Sequence, residues 1–193
     1  MKKNNIKKFI NKTIKEYLNE NTLDKLKSKN YINNLLNEIG YDNYEIIGSG
    51  QHGVVLKVEG NCLKLTTSNH EKNIIKKIGR EKFKTLPMIY KSGEIDNVFY
   101  YFRDCYEPIG DDLGDTIDQN LDDIYVFFGE KNNWNPKKSN TNLEYEFDDN
   151  FLIFLSNLKK DLQKLGLLPF KWDINGFSLN TYKNGNSYIL VDF

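Results

Sequence analysis

The sequence has few of the residues on which disulfide-rich, metal-binding and membrane-spanning proteins depend. Its 193 residues include only two cysteines and two histidines, and no cysteine pair has the spacing of a zinc site. Cys62 and Cys105 each lie in an apolar run, which favours two buried thiols in a reducing compartment over a disulfide framework. The longest apolar run, at residues 151–155, is far shorter than the ~20 residues of a membrane-spanning helix.

An excess of either charge is also lacking. The 27 basic and 27 acidic residues give a formal net charge of zero. This balance argues against a protein dominated by nucleic-acid binding, so no nucleic-acid partner is expected. The charges are unevenly placed, since lysines crowd residues 2–15 and aspartates crowd residues 111–123. The lysine-rich start is interpreted as the solvated face of a helix that packs on the next domain, in preference to a membrane or nucleic-acid contact.

The basic start of the chain has no continuous apolar segment, so neither a signal peptide nor a membrane span is predicted. Lysine far outnumbers arginine, a bias typical of AT-rich bacterial or viral genomes. We expect a soluble protein of the cytoplasm, or of the host cytoplasm if the chain is viral.

The spacing of apolar residues changes along the chain. At residues 5–20 and 23–39 they recur at helical spacing, and Gly40 stands where the second helix would end. From Tyr44 onward short strands are predicted, at residues 44–47, 54–58, 62–65, 86–91 and 98–103. A helix is predicted at residues 69–78, after the third strand. These patterns predict a five-stranded antiparallel sheet with one inserted helix, preceded by a pair of N-terminal helices.

The last part of the chain is predicted to be mostly helical. Helices are expected at residues 117–128 and 148–165, with an exposed loop at 131–142 between them. A closing hairpin is expected from strands at residues 177–182 and 187–191. The predicted parts of this α+β chain are a helical extension at 1–43, a sheet domain at 44–109 and a reduced helical domain at 110–193.

A glycine-rich sequence separates the first two predicted strands. It reads Gly48-Ser49-Gly50-Gln51-His52-Gly53, a G-x-G-x-x-G pattern that two unrelated phosphate-binding structures share. In the Rossmann fold the pattern opens a helix, whereas here a β-branched run follows the last glycine. The arrangement resembles the glycine loop of protein kinases, a hairpin over the phosphates of ATP, and the alternative is an ordinary glycine-rich hairpin. The resemblance implies contacts with ATP from Gly48, Ser49, Gly50, Gly53 and Val55.

The third predicted strand adds a lysine to this resemblance. Cys62-Leu63-Lys64 is similar to the kinase pattern of a small residue, an apolar residue and a lysine, one hairpin after the glycine loop. The resemblance implies that Lys64 contacts the α- and β-phosphates and pairs with a glutamate of the next helix. Glu71 and Glu81 are the candidates, and Glu71 is favoured because it precedes apolar residues of that helix. The plain alternative is a lysine that points to solvent.

The aromatic run from Val98 to Pro108 resembles the fifth strand of a kinase sheet and the hinge after it. The resemblance implies that adenine bonds to backbone groups between Asp104 and Tyr106. Taken alone, the aromatic residues of this run are more typical of a buried strand than of a ligand contact.

Two acidic positions near the C-terminus complete the resemblance. The segment Lys171-Trp172-Asp173 follows a long predicted helix, as the kinase catalytic loop does, which implies that Asp173 is the catalytic base. Ser178 occupies the position of that loop's metal-binding asparagine, and Asn175 and Asn180 flank it, so this ligand stays open. Asp192 and the phenylalanine after it resemble the start of the D-F-G motif, which implies that Asp192 binds Mg²⁺ or Mn²⁺.

The resemblance to protein kinases covers about residues 44–193 and implies transfer of the γ-phosphoryl group of ATP to a serine or threonine hydroxyl of an unidentified protein. The sequence contains no activation segment, A-P-E motif or large helical lobe, so it is either a fragment or a natural minimal protein. In a natural minimal protein a substrate is expected to dock elsewhere, for example on the N-terminal helices. The alternatives are a pseudokinase, which binds nucleotide without phosphotransfer, and, ranked third, a small-molecule kinase of the aminoglycoside or choline type.

Overall fold

Residues 24–168 and 176–191 are described in the computed structural model of the chain. The predicted helix at residues 5–20 lies outside the described residues, and so do Asp173 and Asp192. No helix within the described ranges is long and apolar enough to cross a lipid bilayer.

The chain divides into two units. The first contains residues 24–72 and 90–105, and the second contains residues 73–89 together with the described part of 106–191. The residues of the predicted helical extension that are described belong to the same unit as the sheet.

The first unit is built on one antiparallel sheet. Its elements are α1 (Lys29–Ile39), β1 (Glu45–Gly50), β2 (Gly53–Val58), β3 (Asn61–Thr66), the start of α2 (Asn69–Ile78), β4 (Lys91–Ile95) and β5 (Val98–Arg103). The strand order is β1-β2-β3-β5-β4, and every neighbouring pair is antiparallel. The predicted α+β class and five-stranded antiparallel sheet are therefore confirmed, with α2 following the third strand.

Helix α1 packs against one face of this sheet. Alternate residues of a strand point to the same face, and the alternate positions Val54, Leu56 and Val58 of β2 are all buried. They share a core with Leu26, which precedes α1, and with residues of α1 and of the other strands: Ile32, Leu35, Leu36, Leu63, Leu65, Val98 and Phe102. Gly40 ends α1 with a φ of 100°, a left-handed conformation that favours glycine. This helix is therefore part of the first unit's core.

The predicted strand at residues 86–91 is wrong over most of its length. The ladder begins only at Lys91, although Leu86 and Ile89 are as buried as strand residues. Pro87 has no N–H with which to join a ladder, whereas Tyr90 donates its backbone N–H to the Phe102 carbonyl just before the ladder begins. Apolar character alone did not separate a buried loop from a buried strand.

The second unit is mostly helical. Its further elements are β6 (Glu107–Pro108), α3 (Asp111–Gln119), α4 (Leu121–Gly129), a 3₁₀ turn (Pro136–Lys138), α5 (Leu143–Glu146), α6 (Asp149–Lys164), α7 (Phe177–Asn180), β7 (Thr181–Asn184) and β8 (Ser187–Leu190). Strands β6, β7 and β8 form a small antiparallel sheet in that order.

Two predictions in this unit need correction. The helix expected at residues 117–128 is two helices, because Asn120 leaves the helical conformation and donates its side-chain amide to the Thr116 carbonyl. The strand expected at residues 177–182 begins as helix α7, and the Thr181 hydroxyl donates to the Phe177 carbonyl as the strand starts.

An aspartate of α6 holds a loop of the second unit in place. The Asp161 carboxylate accepts hydrogen bonds from the backbone N–H groups of Lys84 and Thr85, each at 3.1 Å, and from the Thr85 hydroxyl at 2.7 Å. The Thr85 carbonyl in turn accepts from the Leu190 N–H at 2.8 Å. Asp161 and Thr85 thus join α6 to the end of β8.

A lysine of α6 is buried in the helical core of this unit. Lys159 is only 1% exposed, and its ammonium donates to the Phe127 carbonyl. The ammonium also lies 4.4 Å from the centroid of the Phe127 ring and 5.7 Å from that of Trp134. Burial lowers the pKa of Lys159 from its ordinary value of 10.5, and the Glu130 carboxylate opposes this shift.

This lowered pKa predicts a pH dependence of stability. Between the folded-state pKa and 10.5 the unfolded chain binds more protons than the folded chain, so the free energy of unfolding rises with pH. The burial penalty is complete below the folded-state pKa and disappears above 10.5. We expect Lys159→Met to remove this rise, measured by urea unfolding from about pH 7 to about pH 10. Lys160→Met, at an exposed position of α6, is the control, and parallel curves for wild type and Lys159→Met would contradict the prediction.

Candidate functional site

The glycine-rich sequence forms a hairpin between β1 and β2. Gly50 and Gly53 pair across it, so the turn consists of Gln51 and His52. The His52 carbonyl accepts a hydrogen bond from the Thr66 hydroxyl at 3.1 Å and from the Thr67 N–H at 2.9 Å. The tip of the hairpin is therefore fixed to the end of β3.

The three glycines of this hairpin differ in whether the packing of the strands requires a glycine at that position. A Cβ on Gly53 would lie 2.0 Å from the Leu65 carbonyl oxygen, so the close approach of β2 to β3 demands glycine there. A Cβ on Gly48 would meet Val55 at an ordinary 3.8 Å, and a Cβ on Gly50 would meet nothing within 4 Å. Neither residue has a positive φ. The fold itself thus leaves Gly48 and Gly50 open to other side chains, although glycine weakens a strand.

Several of the predicted site residues lie in one row across the sheet. Gly48 is opposite Val55, Val55 is opposite Lys64, and Lys64 is opposite Tyr101. Directly opposed residues share a face of the sheet. Lys64 alternates with the core residues Leu63 and Leu65, so this row lies on the face away from α1.

A buried ion pair stands on this face. The Lys64 ammonium lies 2.9 Å from the Glu71 carboxylate, and the two side chains are 10% and 3% exposed. The Tyr101 hydroxyl donates to the same carboxylate oxygen at 2.7 Å. Of the two glutamates considered as partners of Lys64, Glu71 makes the contact, whereas Glu81 forms an ion pair with Lys164 in the second unit.

The start of α2 is set by a short chain of hydrogen bonds. The Ser68 hydroxyl accepts from the Glu71 N–H at 3.2 Å, which is half of a capping box. The Ser68 N–H donates to the Thr66 hydroxyl, which donates to the His52 carbonyl. The first turn of α2 is thus connected to the tip of the glycine hairpin, and the Glu71 side chain extends to Lys64.

The two ends of the predicted hinge belong to different units. Asp104 lies in the first unit, where its carboxylate accepts from the Tyr90 hydroxyl and its carbonyl accepts from Arg103 Nη1 at 2.9 Å. Tyr106 is half-buried and belongs to the second unit. These contacts do not test whether adenine bonds to the segment from Asp104 to Tyr106, so the hinge assignment stays a prediction.

The prediction of two buried thiols is wrong, because Cys62 and Cys105 form a disulfide bond with 5.0 Å between their Cα atoms. The cysteines are 43 residues apart in sequence, but β3 and β5 are neighbours in the sheet and Cys62 is opposite Arg103. Cys105 follows only two residues later. The bond therefore joins β3, the strand that carries Lys64, to Cys105 within the predicted hinge.

The predicted metal-binding residues are only partly described. Ser178 is buried in α7, and the Asn180 carbonyl accepts from the Val191 N–H at 2.9 Å, which brings Asn180 beside the residue that precedes Asp192. Among the described residues, no three histidine, cysteine, aspartate or glutamate side chains come together as a metal site would require. The catalytic and metal roles of Asp173 and Asp192 stay predictions.

Comparison with known proteins adds no family. No protein-family model matches the sequence, and no curated protein is significantly similar to it. A proposal for its function therefore rests on the contacts of the first unit and on the motifs of the sequence.

Proposed function

We propose that the chain is an ATP-dependent phosphotransferase that phosphorylates a protein hydroxyl. The observation that carries the proposal is the buried Lys64–Glu71 ion pair, in the same cross-strand row as Gly48 and Val55. In this reading the hairpin from Gly48 to Gly53 covers the phosphates of ATP, and Lys64 binds them.

The physical cost of this arrangement supports a ligand. Removing two charges from water costs free energy, and apolar residues in place of a buried ion pair often leave a protein equally or more stable. The Lys64–Glu71 pair is therefore a poor device for stability alone. A phosphate beside Lys64 would give the ammonium a function that no apolar residue can replace.

Gly48 and Gly50, the two glycines that the fold does not require, also support a ligand. A Cβ on Gly48 would make only an ordinary contact with Val55, and a Cβ on Gly50 would meet nothing within 4 Å, yet both positions lack a side chain. A backbone free of Cβ atoms lets phosphate oxygens come close to the peptide N–H groups. The close approach of β2 to β3 explains the glycine at position 53, and a bound phosphate would explain the glycines at positions 48 and 50.

The remaining roles come from the resemblance to kinases. Adenine would bond between Asp104 and Tyr106, and Asp192, with Ser178 or Asn180, would hold Mg²⁺ or Mn²⁺. The acceptor hydroxyl oxygen would form a bond to the γ-phosphorus, the bond to the β–γ bridging oxygen would break, and ADP would leave. Asp173 would take the hydroxyl proton.

Transfer of label from [γ-³²P]ATP to protein, with Mg²⁺ or Mn²⁺, tests the proposal. We expect Lys64→Met and Asp192→Ala each to lower the rate at least about 100-fold, because each removes a charge that stabilises the transferred group. Lys57→Met, at an exposed position of the neighbouring strand β2, should leave the rate unchanged. Equal rates for wild type and Lys64→Met, with circular dichroism showing both folded, would refute it.

A second candidate is a pseudokinase that binds nucleotide without transfer. Ser178 favours it, because a serine stands where the resemblance expects the metal-binding asparagine. This candidate predicts that ATP raises the melting temperature of the wild type, while no label reaches any protein under the same conditions.

A further inference from the structure

The disulfide bond lies on the same face of the sheet as the proposed phosphate site. Successive side chains of a strand point to opposite faces, so Cys62 and Lys64 of β3 share one face, while Leu63 between them points into the core beneath α1. Two residues of a strand span about 7 Å. The bond from Cys62 to Cys105 therefore begins only two residues along β3 from the lysine that is proposed to bind phosphate.

The glycine hairpin sets the direction in which a nucleotide would extend from Lys64. Gly53 is opposite Thr66, so the tip of the hairpin lies at the end of β3 that is away from Cys62. The Thr66 hydroxyl donates to the His52 carbonyl and holds the tip there. Under the proposed function the phosphates lie between this hairpin and Lys64. The ribose and base of ATP then have to extend along β3 in the other direction, toward Cys62.

The disulfide closes this path to the base. The Cα atoms of Cys62 and Cys105 are 5.0 Å apart, and Cys62 is only 2% exposed. A flat ring in van der Waals contact on both faces needs about 7 Å between the atoms that enclose it. In the oxidised chain a base therefore has no room between β3 and the backbone at Cys105, which belongs to the segment predicted to bond to adenine.

The segment around Cys105 also has anchors that do not depend on the disulfide. The Asp104 carboxylate accepts from the Tyr90 hydroxyl at 2.5 Å, and the Asp104 carbonyl accepts from Arg103 Nη1 at 2.9 Å. Arg103 is itself opposite Cys62 in the ladder between β3 and β5. Breaking the bond is therefore expected to release the Cys105 side chain while the end of β5 stays in place.

The two cysteines differ in their access to a reductant. Cys105 is an exposed residue that follows β5, whereas Cys62 is buried within β3. Exposed disulfides are more readily reduced than buried structural ones, and they are the ones that serve regulation. The exposure of Cys105 therefore suits a bond that is opened and closed in the folded protein.

We propose that the Cys62–Cys105 bond is a redox switch, which excludes ATP from the oxidised chain and admits it to the reduced chain. The switch depends on the proposed function, because that function supplies the phosphate site from which the base extends.

A dithiol reductant is needed to open the switch. One thiolate of the reductant attacks the Cys105 sulfur, the bond to the Cys62 sulfur breaks, and Cys62 leaves as a thiolate that takes up a proton. The second thiolate of the reductant then attacks its own sulfur in the mixed disulfide and displaces Cys105, which also takes up a proton. Two electrons and two protons pass to the protein, the reductant becomes a disulfide, and the reverse exchange closes the switch.

The test is equilibrium dialysis of radiolabelled ATP with Mg²⁺ against the full chain, either oxidised or reduced with dithiothreitol. We expect the reduced wild type to bind ATP at least about tenfold more tightly, because the clash with the base is removed. Cys62→Ser with Cys105→Ser should bind ATP as the reduced wild type does, with and without dithiothreitol. Circular dichroism shows whether each protein is folded, and equal affinities of the two states of the wild type would overturn the inference.

A ligand without a base separates a blocked path from a general change of the site. Inorganic tripolyphosphate can reach Lys64 and the glycine hairpin without passing Cys62. We therefore expect calorimetry to give it the same affinity for the oxidised and the reduced wild type. A preference of tripolyphosphate for the reduced chain as strong as that of ATP would overturn the inference.

A further measurement uses the wild type alone, so it does not depend on whether the serine variant folds. If reduction tightens ATP binding, ATP must favour the reduced state by the same factor. In a dithiothreitol redox buffer, saturating ATP should raise the ratio of dithiol to disulfide at least about tenfold, which corresponds to about 30 mV for this two-electron couple. Alkylation followed by mass spectrometry gives the ratio, and a ratio that ATP leaves unchanged would overturn the inference.

The switch and phosphate transfer fail separately. Redox-dependent binding of ATP without transfer of label to any protein would leave the switch standing and remove the phosphotransferase. Label transferred at the same rate by the oxidised and the reduced wild type would remove the switch alone. An absence of ATP binding in both states would remove both.

Discussion

Replacing Glu71 by alanine is expected to lower the free energy of unfolding by about 3 kcal/mol or more. The change removes the carboxylate 2.9 Å from the Lys64 ammonium and the acceptor of the Tyr101 hydroxyl at 2.7 Å, all three side chains being buried. Breaking a buried ion pair from one side is costly, because the remaining charge stays out of water. Urea unfolding at pH 7, followed by circular dichroism, measures the change.

An exposed ion pair in the same unit provides the control. The Lys72 ammonium lies 2.5 Å from the Glu94 carboxylate, and the Glu94 side chain is 44% exposed, so Glu94→Ala should lower the free energy of unfolding by less than about 1 kcal/mol. If Glu71→Ala lowers the free energy of unfolding no more than Glu94→Ala does, the prediction that breaking the buried Lys64–Glu71 pair is costly is wrong.

A double variant distinguishes stability from function. Lys64→Met with Glu71→Leu replaces both charges by apolar groups of similar size, and we expect it to recover most of the stability that Glu71→Ala loses. The same double variant should transfer no phosphate if the proposed function holds. A double variant that is stable but inactive would mean that the Lys64–Glu71 pair serves ligand binding and is not needed for stability.

The sequence was most informative where the spacing of apolar residues changes sharply. The helix predicted at residues 69–78 has the bounds of α2, because Ser68 caps its start and Ile74, Ile75 and Ile78 recur at helical spacing. The strands around the glycine hairpin were also found within a few residues. The segment at 86–90 was not, since burial makes a loop and a strand equally apolar.

The contacts of the site were harder to predict than its elements. Lys64 and Glu71 were paired from a resemblance, but nothing in the sequence indicated that Tyr101 completes the pair. Its place opposite Lys64 depends on β5 lying next to β3, a strand order that local patterns do not reveal. The aspartates at 111–123 were visible as charge, but the start of α3 was predicted six residues too late, so the sequence did not indicate that Asp111, Asp115 and Asp118 share one face of that helix.

Loss of the disulfide is expected to have an effect of similar size to the loss of Glu71. The bond between Cys62 and Cys105 spans 43 residues, and closing a loop of that length in the unfolded chain corresponds to roughly 4 kcal/mol. We therefore expect Cys105→Ser, with Cys62→Ser in the same chain, to lower the free energy of unfolding by roughly 3–4 kcal/mol. Urea unfolding of both proteins, with and without dithiothreitol, measures it.

Reduction is the internal control for this prediction. Dithiothreitol should bring the wild type to the stability of the double serine variant and should leave that variant unchanged; a wild type that does not respond would contradict the prediction. The bond also opposes the expectation of a reducing cytoplasm, where such bonds rarely persist. Thiols alkylated at the moment of cell lysis decide between the two: a blocked pair shows the reduced protein in the cell, and an unreactive pair shows the disulfide. In the reduced protein β3 and Cys105 would no longer be joined covalently, so the β3–β5 ladder that positions Lys64 would have a larger part in holding the predicted hinge beside β3.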